Sequence, residues 1–558
     1  MKTKRIFILC LCLSLFSFIG CDFLLDASKE IFSYDDYTVL TTYEKQTCDW
    51  LIIMYVDGDN NLQDSLYEDI NEIEKALATY NNSYENGPNV KIVALWDGIN
   101  DFSGPKSTHI FEFGPDYYNK STLCSNTKDL TAIPYYDGED WLNYNQYTQE
   151  AELNMGDVKT LTNFLCWVNE YYQAEHTILQ FSNHGGGPRS VISTNRALCT
   201  DDSSSTYNNL AMLYSKDVSD ALAAAGYGTS NKLDMLIFDV CFGASLEDAY
   251  QYRNYADYML ASANEVPGYG LDYTKILDNI RENNAKDIGI GIVDDFKDFY
   301  EKYPEEWNIN KYGDLAKYYN KTTQTLSLID LSKVKAVAEK INTLASAISQ
   351  TQITLTQENG DDILLKDFLQ VYISNKEYSD VIKVFYKGTF SYLHDIGFLT
   401  INTMSLCAEL FDTTDSDTIK QELNNLGESA YNVVLSLQDA IIYTWRKGPE
   451  NPDEGFIGFN ESEGKDVSNS LYYGKSLPYG LTISGSDWLV ENNTEIQFGI
   501  TNYEDFLDIS KDYPNWYELL KYYFGETEIK YNSFLPLPYI QKGEDSFRTF
   551  AFFFETLS

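Results

Sequence analysis

The chain has only four histidines, His109, His176, His184 and His394. Only His184 stands just past an apolar run and directly before glycines, in Asn183-His184-Gly185-Gly186-Gly187. Cys241 has a matching position, following the apolar run Leu233 to Asp239 and preceding the small-residue turn Phe242-Gly243. A thiol nucleophile needs an imidazole nearby, to hold it as thiolate or to take its proton. Glycines beside that imidazole let a substrate carbonyl approach the backbone, whose N–H groups can bind an oxyanion. The chemistry this pair could do is acyl transfer through a thioester. Cys241 would be the nucleophile, His184 the base, and the N–H groups of Gly185 and Cys241 the oxyanion donors. Taken singly, each residue has a plainer meaning. A cysteine after an apolar strand is usually a buried small hydrophobe, and a histidine beside glycines is often a turn residue. Their joint placement gives the pair its weight.

That placement depends on the surrounding elements. Trp50 to Val56, Val90 to Trp96, His176 to Ser182, Leu233 to Asp239 and Ala256 to Ser262 read as strands, with Thr108 to Phe113 a further one. Several are continuous apolar runs, as in strands buried on both faces. Between them, Leu62 to Tyr80, Asp157 to about Tyr172, Ser215 to Ala225 (stopped by Gly226) and a segment ending near Tyr252 read as helices. Asp157 is a good N-cap and Gly226 a good stop. The alternation predicts an α/β fold with a mostly parallel sheet flanked by helices. In such sheets functional groups gather at the carboxyl ends of the strands, and right-handed crossovers bring those ends to one edge. Asp57, Asp59, Asn60, Asn61, Asp97, His184, Asp239 and Cys241 all stand at such ends.

The loop Asp57 to Asn61 has two readings. Asp57, Asp59, Asn61 and Glu68 fit positions 1, 3, 5 and 12 of a calcium loop. However, Leu62 replaces the required glycine and a strand precedes the loop, so an EF-hand is not expected. The loop reads instead as a helix N-cap and a wall of the active-site cleft, with Asp57 and Asn60 as substrate-binding candidates. The metal ligands, if any, stay unassigned, and the thiol chemistry itself requires no cofactor.

The wider chain sets the context. With 558 residues, 44% hydrophobic and 15% aromatic, it can bury sizeable cores in more than one domain. Its net charge of −43 repels phosphate backbones, so nucleic acid is excluded as a partner and basic ligands are favoured. Lys2, Lys4 and Arg5 precede the apolar run Ile6 to Ile19 and then Gly20-Cys21. This describes a signal peptide, and the small residue before Cys21 resembles a bacterial lipobox. Acylated Cys21 would anchor the mature protein to the bacterial envelope on its extracytoplasmic side; ordinary cleavage and free secretion is the alternative. The six cysteines beyond Cys21 are scattered, with no zinc spacing and no dense disulfide pattern. The expected organisation is a signal at 1–21, a tether at 22–48, an α/β domain carrying Cys241 and His184 at 49–325, a helical section at 326–450 and a β-rich section at 451–558. Leu326 to Gln350 and Thr418 to Tyr443 carry the long helical patterns.

Five segments resemble, in order, the signatures of the clostripain family: Trp50 to Leu62, Glu152 to Asp157 (ELNMGD), Ser182 to Gly187 (SNHGGG), Phe238 to Ser245 (FDVCFGAS) and Ala263 to Tyr273 (ANEVPGYGLDY). The resemblance implies the caspase-like fold, shared with gingipains and legumain. It also implies a cysteine endopeptidase acting on proteins or peptides after basic residues, Arg before Lys. The acid two positions before the nucleophile, Asp239 here, would meet the substrate cation. Family members respond to calcium, so a calcium site is possible. They also resemble zymogens cut in the loop after the histidine; Pro188 to Ser215 is that loop, and Arg189 and Arg196 would be its cleavage sites. Phe242-Gly243 stands where Leu-Met is common, and Tyr269 and Leu271 where an acid and a Trp are common. Those departures bear on the specificity pocket rather than on the dyad. The other reading of the whole is a lipid-anchored adhesin or peptide-binding protein that has lost activity.

Overall fold

The computed structural model describes residues 35–83, 87–99, 102–133, 142, 151–187, 198–206, 209–281, 284–306, 324–356, 362–374, 393–447, 480–484 and 507–525. Its strands run in chain order β1 (Thr38–Val39), β2 (Gln46–Gly58), β3 (Val90–Gly98), β4 (His109–Glu112), β5 (Lys128–Asp129) and β6 (Tyr172–Ser182). Then come β7 (Leu198–Thr206), β8 (Asn209–Leu213), β9 (Leu233–Asp239), β10 (Ala256–Ala261) and β11 (Gln324–Asp330). The last are β12 (Thr354–Thr356), β13 (Asp362–Leu364), β14 (Leu393–Asp395), β15 (Ile441–Lys447) and β16 (Thr482–Ser484). Ten of them form one sheet in the order β1-β5-β4-β3-β2-β6-β9-β10-β11-β15. The middle five, β3, β2, β6, β9 and β10, are parallel. The strands β4, β11 and β15 add antiparallel margins. This is the α/β, mostly parallel sheet flanked by helices that the sequence pattern predicts.

The apolar runs are continuous because both faces of the sheet are covered. In β2, Leu51, Ile53 and Tyr55 face one core, and Trp50, Ile52, Met54 and Val56 face the other. The first core is closed by α2 (Val158–Tyr171), α3 (Ser215–Ala224) and α4 (Leu246–Tyr252). The second is closed by α1 (Gln63–Ser83), α5 (Ile276–Ile280) and α6 (Ala285–Glu306). As expected, Asp157 caps α2, its side chain accepting from the Lys159 N–H. Gly226 follows α3 with φ +89°, a backbone region that favours glycine.

Some segments differ from expectation. The helical section opens on β11 and ends on β15, both members of the main sheet, around α7 (Val334–Gln350), α8 (Leu365–Ser374), α9 (Ile396–Thr413) and α10 (Asp417–Ala440). A helical window begun at Leu326 merges a buried strand with the helix behind it; Leu326, Leu328 and Ile329 pack inside the sheet. Likewise, Ile441 to Tyr443 continues the apolar pattern of α10 but belongs to β15. The expected tether contributes β1, which pairs with β5, and the first residues of β2. The stretch read as a loop up to Ser215 contains the β7–β8 hairpin, where Cys199, Thr200, Asp201 and Leu213 are buried. Within 451–558, the described residues form β16 and two short helices, α11 (Asp508–Asp512) and α12 (Asn515–Gly525). The rest of the expected β-rich section, together with Cys21, Arg189 and Arg196, lies outside the described residues. Among the described residues no helix is long and apolar enough to cross a membrane.

Candidate active site

Strand register brings the two chemical motifs together. Ser182 of β6 pairs with Asp239 of β9 in parallel. His184 and Cys241 each lie two residues past that pair, on adjacent strands at the same edge. Gly185 seals the junction. A side chain there would collide with the Cys241 carbonyl oxygen and with Val240, so the close approach requires glycine. Gly185, Gly186 and Gly187 also line a narrow cavity with Phe238, Val240 and Cys241. Its volume of about 30 Å³ is room for about one water.

The backbone turns sharply after the cysteine. Phe242 adopts φ +59°, a conformation rare for a residue with a side chain. It is held there by its N–H donating to the Asn264 carbonyl at 2.9 Å and by burial of its ring. The Ala244 N–H donates to Ser262 O at 2.8 Å, and Ser245 then caps α4 by accepting from the Asp248 N–H. Strain of this kind persists only where neighbours over-determine it, and it presents Cys241 at the strand-to-helix turn. The Cys241 Sγ accepts from the Val266 N–H at 3.4 Å and lies 3.8 Å from the Val266 carbonyl. The loop after β10 therefore touches the thiol.

His184 is held by a residue the sequence reading did not assign. Its Nε2 lies 2.9 Å from Asn61 Oδ1. With Nε2 donating to that oxygen, Nδ1 keeps the lone pair and is the basic nitrogen. Asn183 fixes the backbone on both sides: its Oδ1 accepts from the His184 N–H, and its Nδ2 donates to Asp57 O. The arrangement is that of a base oriented by a third group. Asn61 stood among the strand-end residues, but only its distance to the ring separates it from its neighbours.

Asp57 and Asn60 are not on a cleft wall. Both are buried: Asn60 Nδ2 donates to Thr200 O at 2.9 Å, its Oδ1 accepts from the Leu62 N–H, and Asp57 Oδ1 accepts from the Asp59 N–H. They shape the loop from within, under β7, while Asn61 supplies its exposed face. Burial pushes the Asp57 carboxyl well above its usual range, and the Asp201 charge adds to this. Asp97 is raised in the same way, by burial first and then by Glu152 and Asp57.

Asp239 lies at the floor of the site, 7% exposed. Its Oδ2 accepts from the Tyr273 hydroxyl at 2.7 Å and the Leu271 N–H at 3.3 Å. Gly270, at φ +54°, presses so close that a side chain there would collide with the same oxygen. Burial pushes the Asp239 carboxyl up to about 6, against the pull of Tyr273 and Leu271. A second carboxylate, Asp69 of α1, is near enough for the Asp239 charge to raise it, after burial itself. No lysine or arginine among the described residues pairs with either carboxylate. Asp69 carries no sequence signal, since a buried acid on an amphipathic helix looks like an ordinary surface position.

With this geometry in place, likeness to known proteins becomes informative. Residues 54–523 match the model of the clostripain family. The chain is 26% identical to clostripain of Hathewaya histolytica over 501 residues, covering 85% of this chain and 87% of the relative. Among solved structures, a secreted C11 cysteine protease from Bacteroides thetaiotaomicron in complex with an irreversible peptide inhibitor aligns at a TM-score of 0.47. It is 17% identical, over 83% of this chain and 98% of the other. An inactive zymogen C11 protease from Parabacteroides distasonis aligns at 0.48 with 16% identity, over 84% of this chain and 99% of the other.

Proposed function

The chain belongs to the clostripain family and is a cysteine peptidase, and on that premise we propose that it cleaves after basic residues through a Cys241–His184 dyad. Cys241 attacks the scissile carbonyl after its proton passes to Nδ1 of His184, and a thioester forms as the amine leaves with a proton from the imidazolium. Water then attacks the thioester and releases the acid. The N–H groups of Gly185 and Cys241 serve the oxyanion in both steps. One observation supports the basic preference above others: Asp239, two residues before the nucleophile, is buried without a cationic partner among the described residues, and the Asp239 charge also acts on a second buried carboxylate, Asp69. A buried carboxylate needs such a partner, and a guanidinium supplies a bidentate one. We further propose that Cys21 is acylated and anchors the protein outside the cytoplasm.

The test is hydrolysis of short peptides carrying Arg, Lys, Ala or Asp before the reporter group. Cys241→Ala and His184→Ala should each abolish turnover with the fold retained. Asp239→Asn should cost Arg and Lys substrates roughly tenfold to a hundredfold, the worth of one charge-assisted pair, and neutral substrates far less. Equal losses on all four substrates would make Asp239 structural, and near wild-type turnover by Cys241→Ala would remove the dyad.

A further inference from the structure

A polar cavity of about 460 Å³ is formed where three segments meet. Tyr250 comes from α4, and Arg253 and Asn254 follow the end of that helix. Lys335 comes from the first turn of α7, Asp512 from the end of α11, and Tyr513 is the next residue. The Leu233 N–H, at the amino end of β9, donates to the Tyr255 carbonyl beside this group, whereas Cys241 follows the other end of that strand. The cavity therefore belongs to the edge of the sheet opposite the active site. Its walls are fixed. The Asp508 N–H donates to Gln251 Oε1 at 3.1 Å, tying α11 to α4. The Asn515 N–H donates to Asn342 Oδ1 at 2.8 Å, tying the later chain to α7.

The cavity holds more donors than its own acceptors engage. The Arg253 guanidinium stacks on the Tyr250 ring, 3.5 Å from its centre, and its side chain is 16% exposed. One terminal nitrogen donates to the Tyr250 carbonyl, and the other lies 3.4 Å from Asp512 Oδ2. The Tyr250 hydroxyl donates to the same Oδ2 at 2.6 Å. A guanidinium carries five N–H groups, so these contacts leave some of them open. The Lys335 ammonium and the Asn254 amide have no hydrogen-bond or ion-pair partner among the described residues. After burial, the Glu339 charge raises the Tyr513 hydroxyl, but Glu339 does not line the cavity. Charges more than about 8 Å away are largely screened at physiological salt. The net −43 of the whole chain therefore counts for less here than two lining cations against one lining carboxylate.

We propose that this cavity is a peptide-binding site separate from the cleft, and that it takes a carboxylate, either an acidic side chain or the end of a chain. The open donors of Arg253, Lys335 and Asn254 meet the carboxylate oxygens. Hydrogen bonds to an ionised acceptor are the strong kind, and a guanidinium matches both oxygens of a carboxylate. Asp512 Oδ1, which accepts nothing among the described residues, takes a peptide N–H of the same ligand. The half-buried Tyr513 ring, 5.8 Å from Tyr250 between centres, packs on the methylene groups between the two. The volume falls within the roughly 300–1,000 Å³ of small-ligand sites, which suits a residue or two of peptide and not a folded partner. The charge preference is opposite to that proposed for Asp239, so the two sites do not compete for one group.

The experiment uses the full chain carrying Cys241→Ala, so that binding is read independently of peptidase action. It is titrated by calorimetry with short peptides free of Arg and Lys. Acetyl-Gly-Glu-Gly-amide offers a side-chain carboxylate, acetyl-Gly-Gly-Gly a terminal one, and acetyl-Gly-Gln-Gly-amide none. Saturable binding of at least one of the first two is expected, with the neutral peptide at least about tenfold weaker, as the loss of a charge-assisted bond requires. Whichever of the two binds tells an acidic stretch from a chain end, and binding of both shows that the carboxylate alone is read. Lys335→Glu should abolish binding and Asn254→Ala should weaken it several-fold. Neither side chain holds another, so Tm should stay at the parent value in both variants. In the active chain, a saturating carboxylate peptide should leave hydrolysis of a short Arg peptide unchanged; inhibition would place the binding in the cleft. The proposal is overturned when neither carboxylate peptide saturates, when the neutral peptide binds as well, or when Lys335→Glu retains full binding. Binding of inorganic phosphate while both peptides fail overturns the peptide assignment in favour of a general anion site.

Discussion

At the residue scale, the proposed role of Asp239 in specificity yields a prediction that the proposed dyad cannot mimic. Burial pushes the Asp239 carboxyl up from 3.8 to about 6. Above that pH it is ionised and attracts a guanidinium; below it the neutral acid does not. The ratio of kcat/KM for an Arg peptide to that for an Ala peptide should therefore fall as pH drops through about 6, and Asp239→Asn should flatten it. Both substrates use the same His184 and Cys241, so the ratio cancels their titration. Unfolding does not imitate the effect. The cost of burying the ionised form is fully present above the folded value and is relieved as pH falls toward 3.8, so this group favours the folded state on the acid side. A ratio independent of pH would move the specificity away from Asp239. The strand-end positions of His184, Cys241 and Asp239 were readable in the sequence, since each closes an apolar run. Asn61 and Asp69 were not, because their roles depend on which side chains a fold brings within reach.

At the element scale, the parallel strands could be found because burial on both faces writes them as unbroken apolar runs, and turn residues end each run. The strands β11 and β15 were hidden because each abuts a long amphipathic helix, α7 and α10, whose periodicity runs through them. Yet they support the site. β11 pairs with β10, and the Thr325 hydroxyl bonds both the Ala263 N–H and the Ser262 hydroxyl at 2.9 Å. That contact sets the start of the loop whose Val266 touches the thiol. The later chain reaches the same place: Thr482 of β16 donates from its N–H to Ala244 O, behind the nucleophile turn. A chain ending at residue 323 should thus fail as an independent peptidase. It would leave β10 as a bare, apolar edge, which invites aggregation. Expression of that fragment with a solubility measurement and a thermal scan checks this. A soluble fragment with one cooperative transition and peptide hydrolysis would show that the sheet is complete without β11.

At the scale of the whole molecule, the two proposed catalytic groups flank one polar stretch of the sequence. His184 ends β6 and Cys241 follows β9, with Arg189 and Arg196 between them in sequence. The pairing of β6 with β2 and β9 would outlast a cut there, because it depends on buried strands rather than on chain continuity. Both arginines precede the β7–β8 hairpin in the chain. Polar loop segments of this kind are preferred nicking sites, and an enzyme selective for basic residues can cut its own. We expect wild type to mature by cleavage after Arg189 or Arg196 into two chains that stay associated, while Cys241→Ala stays intact. One mass-spectrometric map of both proteins, purified in parallel from a bacterial envelope, reads the result together with the N-terminal peptide, which should begin at acylated Cys21. Fragments in both proteins would assign the cut to a foreign protease. A fully active single chain would show that activity does not wait for the cut, and an unmodified N-terminus at Asp22 would replace the anchor with free secretion.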